Sequence, residues 1–248
     1  MVPTLGEMRG ERACDARIER LLQLSACAAL SDIRTSCVIL HHTMPKVTLY
    51  YFDFEGRAQP TRVALHHAGV DFEDVRVPFA EWKDRKATML GGSMPVIEID
   101  GVQINQSLAI GRWAGKQSSL YPEDPIVALT VDSICDTVDE ALRNCPQGDD
   151  AEAKKKAREE YAAGKLKTYC DVLNTIAERS GAEKFVAGTD EPTMADLQIF
   201  YGLLDMIRAG QFDYVDVAYC DQWPTLKALE DKIRAAPMIA AYNASREK

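Results

Sequence analysis

Two short apolar runs joined by an aspartate and a glycine set the tightest limit on what this chain can fold into. Val96-Ile97-Glu98-Ile99 and Val102-Gln103-Ile104 flank Asp100-Gly101, and Asp-Gly between two strand-length runs signals a tight antiparallel hairpin. Upstream, from Lys46, alternation sets Val47, Leu49 and Tyr51 on one face of a strand and Thr48, Tyr50 and Phe52 on the other. Gly56 breaks that strand, and Pro60 suits the first turn of a helix running through Val63, Ala64 and His67 to a stop at Gly69. Phe72 to Val77 reads as a second strand, followed by an irregular stretch holding Trp82, Lys86 and Gly91-Gly92. After the hairpin, Ser107 is expected to cap a helix through Ile110 and Trp113. The order β-α-β, loop, ββ-α suits a small mixed sheet with helices packed on it.

The C-terminal half of the chain is different in kind. Leu120 to Pro125 carries two prolines and reads as a linker. Beyond it the pattern is helical: Ile126 to about Cys145, Ala151 to Ser180, an apolar helix behind Thr193-x-x-Asp196, and helices opened by Pro224 and Pro237. Thr-x-x-Asp has the form of a capping box with aspartate in place of glutamate, so Asp196 is expected to fix a helix start. The alternating charges from Glu152 to Glu160 read as a solvent-facing helix surface. The fold class is therefore a mixed α/β domain followed by an all-α domain.

Composition removes several function classes. A net charge of −9 leaves no basic footprint for nucleic acid or an anionic membrane, and no apolar run is long enough to cross a bilayer. Seven cysteines, an odd number without a Cys-x-x-Cys, read as reduced thiols of a cytoplasmic protein. The histidines come as adjacent pairs, His41-His42 and His66-His67, and neighbours on a helix point apart, so no metal site is expected. Residues 1–43 hold an apolar patch, Leu21 to Leu30, behind Glu7, Glu11, Asp15 and Glu19. Acidic residues argue against a secretory signal and a transit peptide; the segment is read as a poorly ordered extension, with a targeting segment or an artefact of start-site choice left open as alternatives.

Met44 to Asp53 (Met-Pro-Lys-Val-Thr-Leu-Tyr-Tyr-Phe-Asp), Gly56-Arg57, Glu81-Trp82, Met94-Pro95-Val96 and Gln106 to Ile110, followed by Phe185 to Gly188 and Ala195-Asp196, together resemble the sigma class of glutathione transferases. That class includes glutathione-dependent prostaglandin D synthases and general detoxifying enzymes. The resemblance spans Met44 to Lys248. It implies a thioredoxin-like domain over residues 44–120, an all-helical domain over 126–248, a homodimer, and glutathione as co-substrate without a further cofactor.

It also implies site residues. Tyr51 is the catalytic candidate: a phenol donating to sulfur stabilises the thiolate, the reactive form of a thiol. Tyr50 competes but points to the opposite face. Arg57 is expected beside the sulfur, where a cation at a helix start opposes the dipole and so favours an anionic partner. Phe52 is expected to pack beside the thiol. Trp82 and Lys86 match positions that bind the glycine carboxylate. Met94-Pro95 matches a cis-proline turn that offers the Met94 backbone to the cysteinyl unit, and Ser93 stands where many relatives carry glutamine. Gln106 and Ser107 match the γ-glutamyl carboxylate site at a helix N-terminus. Glu140, with Asp139 next, matches the carboxylate that approaches the glutathione ammonium from the other subunit.

The implied reaction is attack of the thiolate on an electrophilic carbon of an apolar second substrate bound between the domains. Two rivals share the fold: an isomerase acting on a prostaglandin-type endoperoxide, and a non-enzymatic ligand-binding relative. A thiol-disulfide oxidoreductase would need a cysteine at the strand–helix turn, and residues 50–61 contain none.

Overall fold

Tyrosine, valine and leucine alternate along β1 (Val47–Phe52), and the buried positions Val47, Leu49 and Tyr51 anchor the first half of the protein. The computed structural model describes residues 45–246. The extension 1–43, with His41-His42 and Cys14, Cys27 and Cys37, lies outside the described residues.

Strand β1 sits between β2 (Phe72–Val77), which runs parallel to it, and β3 (Val96–Ile99), which runs antiparallel; β4 (Val102–Asn105) is the edge beyond β3. The β3–β4 hairpin turns as its sequence demands. Asp100 and Gly101 both have positive φ, 50° and 83°, the geometry that matches strand twist in a two-residue turn. Asp100 also ties the hairpin to β1: its carboxylate accepts from the Lys46 amide at 2.9 Å, and its own amide donates to the Lys46 carbonyl at 3.0 Å.

Helix α1 (Gln59–His67) follows a 3-10 turn at Gly56–Ala58 and carries proline in its first turn. The stretch expected to be irregular holds a short helix, α2 (Trp82–Arg85), between 3-10 turns at Phe79–Glu81 and Lys86–Thr88. Helix α3 (Ser107–Lys116) packs on α1. Fully buried Leu49, Leu65, Ile97 and Ile110 form the centre of this layer, each worth about 1.5–3 kcal/mol of transfer free energy.

The second half is helical. Helix α4 (Pro125–Arg143) starts at Asp124, whose side chain accepts from the amides of Ile126 and Val127. The expected single helix from 151 to 180 is two α-helices, α5 (Ala151–Tyr161) and α6 (Lys167–Ser180), joined by a π-helical stretch at Ala162–Leu166. A π turn takes carbonyls out of the i→i−4 ladder, and the Tyr219 hydroxyl donates to the Ala162 carbonyl. Helix α7 (Met194–Ile199) is buried at every position and runs through a second π stretch, Phe200–Leu204, into α8 (Asp205–Arg208). Helices α9 (Pro224–Arg234) and α10 (Pro237–Arg246) complete the described residues, with α10 packed on α1.

The halves meet closely where α3 reaches α7. A methyl on Gly115 would stand 2.5 Å from Met194 Cγ, so any larger residue there would displace the Met194 side chain. The start of α7 is the capping box expected from Thr193 and Asp196. The Asp196 carboxylate, fully buried, accepts from the Thr193 amide (2.8 Å), the Thr193 hydroxyl (2.9 Å) and the Val186 amide (2.9 Å).

Candidate glutathione site

Alternation along β1 separates the two tyrosines. Tyr51 points into the core at 4% exposure, and Tyr50 is half-buried on the opposite face. The Tyr51 hydroxyl oxygen accepts a hydrogen bond from the Arg57 amide at 3.1 Å. Burial pushes the phenol up, and the Arg57 hydrogen bond with the Arg57 and Arg62 charges only partly offsets it. The phenol therefore keeps its proton at neutral pH, and with the oxygen already accepting, that proton is available to an outside acceptor. Gly56 makes the approach sterically feasible. It has φ +43°, and a Cβ there would lie 2.7 Å from Tyr51 Oη and 2.5 Å from a Phe54 ring carbon.

The Arg57 side chain runs the other way. Its guanidinium pairs with Asp139 on α4, joining the sheet half to the helical half. Arg57 also lines a cavity of about 260 Å³ with Ser93, Met94, Pro95, Gln106, Ser107 and Arg143. Five residues named from the resemblance thus meet Arg57 in one place. The Met94-Pro95 peptide is cis. The Gly91 and Gly92 turn before it has positive φ at both residues and is held by β4, whose Gln103 side chain accepts from the Leu90 amide at 2.9 Å.

Gln106, at φ 78° and ψ 103°, is the residue before α3, and Ser107 is its first helical residue. The expectation that Ser107 caps this helix is corrected: no side chain caps α3, because the unusual Gln106 backbone starts the helix one residue earlier. The first turn of α3 accordingly presents its amides without a side-chain acceptor, toward a cavity that Gln106 and Ser107 both line.

Arg143 is the cavity residue that sequence reasoning missed. It sits four residues after Asp139, whose carboxylate it also pairs. That spacing was the available signal. Two guanidiniums share one carboxylate here, so the cavity wall is locally cationic on an acidic chain.

Asp139, expected after Glu140 as a candidate to reach another subunit, has its carboxylate buried and engaged by Arg57 and Arg143 of its own chain. Glu140, the next residue, is exposed, because one step along a helix turns the side chain by about 100°.

Trp82 and Lys86 do not line this cavity. Trp82 stands edge-on to Phe52, ring centroids 5.3 Å apart, and Phe52 stacks on Phe79 at 4.5 Å and on Phe54 at 6.0 Å. Lys86 is exposed, its chain folded beside Gly92. Tyr161 and Tyr169 act within the helical half: Tyr161 donates to the Ala141 carbonyl, and the Tyr169 hydroxyl accepts from Asn144 at 2.8 Å. Among the described residues no group of three or more His, Cys, Asp or Glu side chains is arranged to hold a metal, and no helix is long and apolar enough to cross a membrane.

Comparison with known proteins resolves what this architecture is. Residues 46–115 match the family model "Glutathione S-transferase, N-terminal domain", and residues 135–246 match "Glutathione S-transferase, C-terminal domain". The chain belongs to the glutathione S-transferase family. It is 34% identical over 207 residues to the hematopoietic prostaglandin D synthase of Gallus gallus, covering 83% of this chain and 98% of that protein. It is 30% identical over 206 residues to a glutathione S-transferase of Anopheles gambiae, covering 82% and 98%. Among solved structures it is similar to prostaglandin synthase D of Nilaparvata lugens, with a TM-score of 0.71 at 28% identity over 82% of this chain and 98% of that one. Within the family these relatives fit the sigma class.

Proposed function

We infer that this glutathione transferase activates the thiol of glutathione with Tyr51 and conjugates the thiolate to an electrophilic carbon of an apolar substrate. The observation that carries the reading is the Tyr51–Arg57 pair. A protonated phenol accepts from the Arg57 amide, and the Arg57 side chain walls a cationic cavity that also holds the cis-proline turn and the start of α3. In the proposed step the Tyr51 hydroxyl donates to sulfur and favours the thiolate. A sulfur–carbon bond then forms while the leaving group, such as the halide of an aryl halide, departs with its electron pair. One charge-assisted hydrogen bond of ~1.5–3 kcal/mol lowers a thiol pKa by about one to two units. The turn into α1 adds roughly 0.3–1 kcal/mol.

The tripeptide carries two carboxylates and one ammonium. In this reading the γ-glutamyl carboxylate takes the amides at Gln106 and Ser107, and the Met94 backbone pairs with the cysteinyl unit. Ser93 borders that strand, Phe52 packs beside the sulfur, and Trp82 with Lys86 serves the glycine carboxylate. The ammonium is met by Glu140 of a second copy in a homodimer. Exposed Ile126 and Leu129 on α4 and Val102 on the β4 edge support such an assembly. Domain limits of 44–120 and 126–248, a cytoplasmic setting and a detoxifying role belong to the same proposal.

The deciding experiment compares wild type with Tyr51→Phe in a conjugation assay using glutathione and an aryl halide. Turnover should fall at least tenfold, the effect of losing about 1.4 kcal/mol or more, while glutathione binding stays near wild type. Equal turnover would end the mechanism. The 34% identity to a prostaglandin D synthase favours one second reading, isomerisation of an endoperoxide with glutathione regenerated. Faster turnover of an endoperoxide than of aryl halides would select it.

A further inference from the structure

Arg62 has no exposed side-chain surface, and a buried guanidinium must find acceptors for its donors. It finds three of them in one turn of chain and a fourth on β2. Nη1 donates to the Phe54 carbonyl at 2.8 Å and the Glu55 carbonyl at 3.3 Å, and Nη2 donates to the Phe52 carbonyl at 3.5 Å. Nε donates to Asp74 on β2 at 3.0 Å, and Arg76 holds the other oxygen of that carboxylate at 2.9 Å. These three carbonyls belong to the segment between Tyr51 and Arg57. The same segment is gripped from outside by Arg246 on the Glu55 carboxylate (2.9 Å) and by Arg76 on Asp53 (3.5 Å). The Arg62 guanidinium carbon also lies 5.7 Å from the centroid of the Tyr51 ring. Arg62 does not line the cavity, so any influence on the chemistry passes through other residues.

We propose that Arg62 is a positioning residue for the reaction, its guanidinium gathering the Phe52, Phe54 and Glu55 carbonyls so that the Arg57 amide meets the Tyr51 hydroxyl. This rests on Tyr51 being the donor to sulfur. Without the fork, those carbonyls lose their buried donor and the turn loosens. The Arg57 amide then withdraws from the phenol, and the phenol becomes a weaker acid and a weaker donor. The charge contributes in the same direction, since a cation beside the ring favours the more acidic phenol. The charged and titratable groups around Tyr51 and Arg62 are Asp53, Glu55 and Arg57 in the turn, Asp74 and Arg76 on β2, Tyr242 and Arg246 on α10, and Asp139 with Arg143 on α4 beyond Arg57. The bound thiol is the group whose titration moves.

The test uses the full chain with Arg62→Met and Arg62→Lys. Lysine keeps the charge but cannot span three carbonyls and a carboxylate. In the protein without glutathione, exchange of the Arg57 amide should become on the order of tenfold faster in both variants, with protection of α4 and α6 unchanged. In the pH profile of kcat/KM for conjugation, the Arg62→Met midpoint should move alkaline by about one unit with KM for glutathione nearly constant. If Arg62→Met does not fold, exchange at Arg57 in Arg62→Lys decides. Arg57 exchange and a pH profile that superimpose on wild type, with only overall stability lowered, would reduce Arg62 to a packing residue and overturn the proposal. A wild type that forms no glutathione thiolate would instead defeat the transferase reading, and the amide exchange would still judge the positioning role.

Discussion

The seam at Asp139 and the capping box at Asp196 both bury a carboxylate, and they satisfy it in opposite ways. Asp139 is answered by two cations, Arg57 and Arg143, which also wall the cavity. Asp196 has no cation and is answered by the amides of Val186 and Thr193 and by the Thr193 hydroxyl. A carboxylate held by partly exposed guanidiniums is coupled to whatever those guanidiniums touch. One held by backbone amides is coupled only to the backbone. The first belongs to the site and the second to the fold.

Replacing each carboxylate should break them apart. Asp196→Ala leaves two buried amides and a hydroxyl without an acceptor and removes a helix cap, so stability should fall by roughly 3–5 kcal/mol in a urea titration. Its remaining folded molecules should conjugate glutathione at near the wild-type rate; a folded variant with much lower activity would erase the distinction. Asp139→Asn should cost less, about 1–2 kcal/mol, because Arg143 is well exposed and solvent screens its pair. That variant should raise the KM for glutathione by several-fold through loss of Arg57 placement, measured by steady-state kinetics at fixed electrophile.

The smallest effect is a difference of sign with pH. Burial pushes the Glu230 carboxyl up, but hydrogen bonds from Arg208 and Arg234 outweigh it and leave it below the ordinary range. Its contribution is present above the unfolded value and is lost as pH falls through the lower folded one. Burial also pushes Asp196 up, and there the backbone donors offset it only in part. Its folded state holds a proton more readily than the unfolded chain, so its contribution grows as pH falls from the raised value to the ordinary one. Unfolding measured across the acid range for wild type, Glu230→Gln and Asp196→Asn should show these opposite slopes; parallel slopes would mean the two environments are alike.

Much of the fold is legible in the sequence alone. The Asp100-Gly101 hairpin, the Tyr51 face of β1, the helix start at Pro60 and the Thr193–Asp196 box all come from chemistry within a few residues. Arg62 was not legible, because a charged residue in a helix reads as solvent-facing unless its acceptors are known. Nor were the π stretches at Ala162–Leu166 and Phe200–Leu204. The Ser107 cap was misjudged by one residue, since the positive φ of Gln106 has no cue in a glutamine side chain.

Local alternation and turn chemistry by themselves determined the order of elements, and therefore which tyrosine faces inward. The tertiary structure alone decided which of two adjacent acids, Asp139 or Glu140, turns toward Arg57. The spacing of acids along α4 is the same whichever way the helix is rotated. Only its packing against α6, α7 and the π stretch at Phe200–Leu204 fixes that rotation and buries one carboxylate among guanidiniums while leaving its neighbour in water.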